Sequence, residues 1–240
     1  MRISSLTRGA KKLLHLKYCG AVIVAAGTAS RMGGIDKAVA PLGGEPVLLR
    51  TVRTFSESNV IREIVIVTRP DLIPTVTNLC GSLPKVRAVV AGGKNRQESV
   101  SLGLNALSEK VTLCAIHDGA RPLVTEEVID RTVYAAGTYG AAAPAIPVKD
   151  TIKTEKGGLV GYTPDRSTLR AVQTPQVFDY DLLRGALKKA EKDQVAITDD
   201  CSAVEYMGAS VKLVQGDERN IKITTPLDMK IAEIILEEMK

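Results

Sequence analysis

Tryptophan is absent, phenylalanine occurs twice, and aromatic residues make up 3% of the 240-residue chain. A core of ordinary size must therefore be filled by Val, Ile, Leu and Ala, within an apolar content of 45% that is normal for a globular protein. No apolar run approaches the roughly 20 residues that cross a bilayer, so no membrane span is expected. The four cysteines, Cys19, Cys80, Cys114 and Cys201, are widely spaced and form no CxxC pair. That spacing argues against a disulfide framework and a zinc site, and it suits reduced thiols in a cytoplasmic protein. Acidic residues are missing from the first 18 positions, where Arg2, Arg8, Lys11, Lys12 and Lys17 account for the whole net charge of +5. The remainder is balanced, so the broad basic face that nucleic acid requires is not expected. Residues 1–18 read as a basic extension. Their apolar run Leu13-Leu14-His15-Leu16 is too short for a secretory signal.

From residue 19 to 240 we expect one domain, because no repeat, low-complexity stretch or linker interrupts it. Short β-branched runs alternate with longer amphipathic stretches. Strands are expected at 21–24, 61–68, 85–90, 111–117 and 142–148, with helices at 47–55, 71–80, 96–107 and 125–136. This alternation predicts a mostly parallel twisted sheet with helices on both faces, and ligands beyond the carboxyl ends of its strands. Residues 150–178 break the rhythm, with an arm expected at about 150–170. Their Gly157-Gly158 turn predicts a β-hairpin arm, a natural contact for a homodimer. A helix is expected at 180–192, another opening at Thr198-Asp199-Asp200, strands near 210–215 and 221–224, and a last helix from Pro226.

Chemistry concentrates after the first strand, in Ala25-Ala26-Gly27-Thr28-Ala29-Ser30-Arg31-Met32-Gly33-Gly34-Ile35-Asp36-Lys37. Small residues let backbone N–H groups approach phosphate oxygens, and Arg31 and Lys37 supply cations for a triphosphate. The segment matches neither GxGxxG nor GxxxxGK[ST], which excludes a dinucleotide fingerprint and a P-loop.

This loop, with Pro41-Leu42-Gly43 behind it, resembles the nucleotidyltransferase signature. The segments Gly92–Val100 (GGKNRQESV), His117–Pro122 (HDGARP), Pro147–Thr151 (PVKDT), Gln173–Gln176 (QTPQ), Thr198–Asp200 (TDD) and Asn220–Thr224 (NIKIT) follow in order. Together they are similar to the 2-C-methyl-D-erythritol 4-phosphate cytidylyltransferase family over roughly residues 20–240. The loop departs from the pattern at Ala29, where a second Gly is usual, and at Ser30, where a basic residue is common.

The resemblance implies a Rossmann-like nucleotidyltransferase fold. It also implies transfer of CMP from CTP to a sugar- or polyol-phosphate, with release of pyrophosphate. Arg31 and Lys37 would stabilise charge on the α-phosphate, and Arg166 with Lys222 would hold the acceptor phosphate. Ala25, Ala26, Gly27, Gly93, Ser99 and Gly119 would frame the CTP. Asp118 would face the ribose and the metal region. Arg121, Thr151, Thr174 and Thr198 would line the acceptor side. The chemistry agrees, because a phosphate monoester is already an anionic nucleophile and the barrier lies in bringing anions together. Cations and Mg²⁺ meet that need, and Mg²⁺ held mainly by CTP phosphates requires no carboxylate cage.

Plainer readings stand beside these. Asp118 can cap a turn, His117 reads as a packed histidine, and Arg121 as a structural ion-pair partner. Thr198 reads first as a helix N-cap, and Arg166 as a solvated cation of the arm. A ribitol-5-phosphate cytidylyltransferase is the nearest alternative enzyme. A degenerate nucleotide-binding module is the alternative of another class.

Overall fold

In the computed structural model, which describes residues 17–27 and 39–239, the apolar runs become the strands of one sheet. Arg31, Lys37 and nearly all of the basic extension lie outside the described residues. Along the chain run β1 (Cys19–Ala25), β2 (Pro41–Leu42), β3 (Glu45–Pro46), α1 (Val47–Glu57), β4 (Ile61–Thr68), α2 (Ile73–Cys80), β5 (Val86–Ala91), α3 (Arg96–Ala106), β6 (Leu113–Asp118), α4 (Glu126–Tyr139) and β7 (Ala141–Pro147). The second half carries β8 (Glu155–Lys156), β9 (Leu159–Val160), β10 (Arg170–Val172), β11 (Gln176–Asp179), α5 (Tyr180–Lys192), α6 (Asp200–Tyr206), β12 (Lys212–Gln215) and α7 (Pro226–Glu238).

The main sheet has the order β10-β7-β11-β6-β1-β4-β5, with β12 beside β7. Pairings among β6, β1, β4 and β5 are parallel, and β11 and β10 run antiparallel to their neighbours. A strand covered on both faces needs no polar alternation. In β1, Ala21 and Ile23 join a core with Leu48, Val76 and Val128 on one face, while Val22 joins Val100, Leu104 and Leu183 on the other. Helix α3 lies close against the sheet because Gly103 has no side chain. A Cβ there would collide with Val22 Cγ1 and lie 2.8 Å from Val67 Cγ2.

The hairpin arm forms as expected, with β8 paired to β9 across Gly157 (φ +60°) and Gly158 (φ +81°), which take the left-handed backbone of a tight turn. Three expectations differ. Asp199 rather than Thr198 caps α6, accepting from Ser202 N at 2.9 Å, because its carboxylate reaches the third helical amide while Thr198 stays exposed. Residues 221–224 form no ladder. Their alternation is real, with Ile223 buried against Leu42 and Val47, but the segment is held by a bond from Ile223 N to Ala120 O at 2.9 Å. β11, which the pattern did not predict, inserts between β6 and β7; its four residues are too few to show a period.

One carboxylate on α4 is placed at a disadvantage. Asp130 Oδ1 is buried without a partner. Burial, and then the neighbouring Glu126 and Glu127, push its carboxyl up to about 6. The folded state holds this proton more tightly than the unfolded chain, so ionised Asp130 opposes folding above that pH and the penalty vanishes in acid. Asp130→Asn should therefore raise stability to urea at pH 8 and leave it nearly unchanged at pH 4. A similar change at both values would mean that ionisation of this group is not involved.

Candidate active site

Parallel pairing brings two strand ends together: Val24 of β1 is in register with Asp118 of β6, and Ala25 with Thr68 of β4. Beyond them opens a cavity of about 380 Å³, within the usual range for a small-molecule site. Ala25, Ala26 and Gly27 line one side, where the chain leaves β1. Gly93 and Ser99 line another, at the start of α3. These walls meet closely, since a Cβ on Gly92 would collide with that of Ala26. The turn is fixed from within: Gly93 N donates to Ser99 Oγ at 3.1 Å, and Asn95 caps α3 by accepting from Glu98 N at 2.8 Å. Asp118, Gly119 and Lys222 also line it.

The electrostatic centre is Asp118. Lys222 Nζ lies 2.9 Å from its carboxylate, Arg121 Nε 3.6 Å and Arg96 Nε 4.0 Å. Burial alone would raise this carboxyl, but Lys222 and then Arg96 and Arg121 hold it below the usual carboxylate range. Lys222 is brought there by a polar latch. Gln173 Nε2 donates to Asp217 O at 2.8 Å, Asn220 Nδ2 to Thr174 O at 2.9 Å, and Arg121 Nη1 to Asn220 O at 2.7 Å. With Gln173 and Asn220 buried, these bonds pin the segment that carries Lys222 to the sheet.

The histidine before Asp118 is fully buried and neutral. Burial depresses its imidazole to about 3. Its Nε2 meets Arg121 O at 3.3 Å, an acceptor, so that nitrogen carries the proton. Thr174 Oγ1 then donates to His117 Nδ1 at 3.0 Å and accepts from Asp118 N at 3.1 Å. His117 and Thr174 thus hold the end of β6, and His117 stands as the packed histidine expected from its position.

The cavity gathers eight of the residues singled out in the sequence, from Ala25 to Lys222. Thr174 and Arg121 lie behind it, and Arg121 makes the ion pair of its plainer reading. Thr151 and Thr198 are exposed and line no part of it. Arg166 sits in the arm, donating from Nη1 to Lys149 O at 2.7 Å. Arg96 and Asp200 are site residues that had no role in the sequence reading. Arg96, inside the GGKNRQESV segment, lines the cavity. Asp200, read there only as part of a helix start, is the buried partner of Arg96. Arg at the first position of a capped helix was the available signal for the first; nothing local marked the second.

Among the described residues no three His, Cys, Asp or Glu side chains converge as metal ligands. Among the described residues that line the cavity, Asp118 is the one carboxylate.

Comparison with known proteins agrees with this geometry. The family model for 2-C-methyl-D-erythritol 4-phosphate cytidylyltransferase (IspD) matches residues 19–238. The chain is 46% identical over 219 residues to an enzyme of that name from Symbiobacterium thermophilum, covering 90% of this chain and 92% of the relative. The 4-diphosphocytidyl-2C-methyl-D-erythritol synthase structure from Anaerococcus prevotii superposes with a TM-score of 0.85 at 33% identity, over 94% of this chain and 99% of that one. A cytidylyltransferase structure from Thermus thermophilus gives 0.76 at 33% identity, over 90% and 98%. With its nucleotidyltransferase sheet and a family match spanning almost every described residue, the chain belongs to the 2-C-methyl-D-erythritol 4-phosphate cytidylyltransferase family.

Proposed function

We propose that the chain transfers the cytidylyl group of CTP to 2-C-methyl-D-erythritol 4-phosphate, forming 4-diphosphocytidyl-2-C-methyl-D-erythritol and pyrophosphate. The observation that carries this reading is the Lys222–Asp118 pair, 2.9 Å apart, on the lining of a cavity also walled by the small residues 25–27 and by 93–96. A phosphate oxygen of the acceptor attacks the α-phosphorus of CTP, and the bond from that phosphorus to the pyrophosphate oxygen breaks. No group need remove a proton from the attacking oxygen at neutral pH.

The protein's work is to bring two anions together. Lys222 and Arg166 hold the acceptor phosphate, and Arg31 and Lys37 stabilise charge on the α-phosphate, as the family resemblance implies. Thr151 and Thr198 complete the acceptor side in this reading, and Gly93 and Ser99 frame the base. Asp118, the one carboxylate among the described residues that line the cavity, fits Mg²⁺, which binds through one or two carboxylates plus phosphate and water. Asp118 would hold it, and the ion would neutralise triphosphate charge.

Pyrophosphate release, measured over a panel of nucleoside triphosphates and acceptor phosphates with and without Mg²⁺, tests the reading. CTP with methylerythritol phosphate should be preferred. Preference for ribitol 5-phosphate would assign the alternative acceptor, and release no faster than background would leave only a nucleotide-binding module.

Exposed Leu159, Val160 and Tyr162 cluster on the arm, with Leu159 75% accessible. This patch, on a strand pair too small to stand alone, fits a second copy of the chain. Residues 19–240 would then be one catalytic domain whose arm at about 150–170 crosses to the partner, in a homodimer of the cytoplasm. Light scattering at micromolar concentration should give the mass of two chains, and Leu159→Lys with Tyr162→Lys should halve it. A monomeric wild-type mass would refute the crossing arm.

A further inference from the structure

Arg96 and Asp200 take no part in the transfer described above, yet they form the best-anchored ion pair at the cavity. Arg96 Nη2 donates to Asp200 Oδ2 at 2.7 Å. Asp200 has no solvent exposure, and its second oxygen, Oδ1, is buried without a partner. Its backbone is fixed independently: Asp200 N and Cys201 N both donate to Gln176 Oε1 at 3.1 Å, while Gln176 Nε2 donates to Asp199 Oδ2 at 2.7 Å. A buried carboxylate must be paired, so swinging Arg96 into solvent would strand a charge in the interior. Burial raises the Asp200 carboxyl, and the guanidinium opposes that rise.

The other face of Arg96 lines the cavity, with 31% of its side chain accessible. It lies three residues before Ser99 on α3, so both occupy one side of the helix. Its charge is already answered by Asp200 at 2.7 Å and Asp118 at 4.0 Å. A guanidinium between two carboxylates adds little net attraction for phosphate; what it offers is N–H groups of fixed direction. Of the other residues of 93–99 that line the cavity, Gly93, Asn95 and Ser99 are uncharged and Lys94 is charged.

We infer that Arg96 donates hydrogen bonds to the uncharged half of the nucleotide, its pyrimidine carbonyl or ribose, and that Asp200 is the positioning residue that aims the guanidinium there. This inference rests on the reading of the cavity as the CTP site. Its test is the affinity of the full chain for CTP, and for CMP by displacement of CTP, without acceptor, in wild type, Arg96→Lys, Asp200→Asn and the combined variant. Arg96→Lys should weaken CTP and CMP by a common factor of at least tenfold. Asp200→Asn should weaken both by a smaller factor and add nothing in the Arg96→Lys background. Should the single variants not fold, Arg96→Met with Asp200→Leu, which removes both charges together, should show the same joint loss. Unchanged CMP affinity in Arg96→Lys would overturn the inference, whether or not CTP is weakened. So would an Asp200→Asn effect that persists in full without Arg96. A wild-type chain that binds neither nucleotide would instead sink the reading of the cavity itself.

Discussion

Lys222→Met should lower turnover about a hundredfold, the loss of about 3 kcal/mol expected when a preorganised cation is removed from a developing phosphate charge. Methionine keeps the length and apolar stem of the side chain, so the backbone latch at Asn220 and the burial of Ile223 remain. What disappears is the ammonium 2.9 Å from Asp118. Michaelis constants should divide the effect, with that for the acceptor phosphate rising and that for CTP changing by less than about threefold. Lys189 provides a matched control. It has 46% side-chain exposure against 44% for Lys222, and an equally direct carboxylate partner in Asp193 at 2.6 Å. Its pair lies on the surface of α5, however, and ordinary solvated pairs contribute under about 1 kcal/mol. Lys189→Met should leave turnover within about twofold. Steady-state pyrophosphate release at saturating CTP separates the two. Equal and small effects at both positions would make Lys222 a structural counter-ion of Asp118.

The contrast between these two lysines also explains what could be read from the chain. Lys222 stands in the alternating segment read as a strand at 221–224, and the structure buries Ile223 there while Lys222 stays exposed. Alternation did not predict whether a ladder partner exists, because hydrogen bonding depends on which strand lies alongside. Strands β1, β4 and β6 were legible as apolar runs because both faces are covered, and the arm because Gly157-Gly158 demands one backbone geometry. The four-residue β11 was not, since its register is set by β6 and β7 rather than by its own residues. The site divides along the same line. Residues at or just beyond strand ends, such as Asp118 and Gly27, fall at the cavity through sheet topology alone. Arg96 and Asp200 meet across 104 positions of sequence, and only the packing of α6 against the sheet, fixed by Gln176, joins them.

That dependence on packing gives His117 its expected behaviour in acid. The imidazole is fully buried, with its ring centroid 4.7 Å from that of Phe55. Burial lowers its pKa to about 3; the Asp118 charge and the bond to Arg121 O resist this, and the charges of Arg121 and Lys222 reinforce it. An unfolded histidine titrates near 6.5, so below that pH the unfolded chain takes up a proton that the folded chain refuses. Stability from neutral His117 is thus complete above about pH 6.5 and declines as pH falls toward about 3. Between pH 7.5 and 4.5 this amounts to about 2 to 3 kcal/mol at 1.36 kcal/mol per unit. Asp130 slopes the other way over part of this range, so the wild-type profile alone would hide the effect. The difference between wild type and His117→Gln does not, because Asp130 is common to both. At pH 7.5 the variant should be the less stable, having lost the ring against Phe55. By pH 4.5 the gap should close by about 2 to 3 kcal/mol in urea denaturation, with circular dichroism as the probe. Parallel profiles would show that the folded protein accepts this proton freely. The Thr174 hydroxyl could then no longer donate to Nδ1, and the hydrogen bonds that hold Asp118 at the end of β6 would have to be drawn differently.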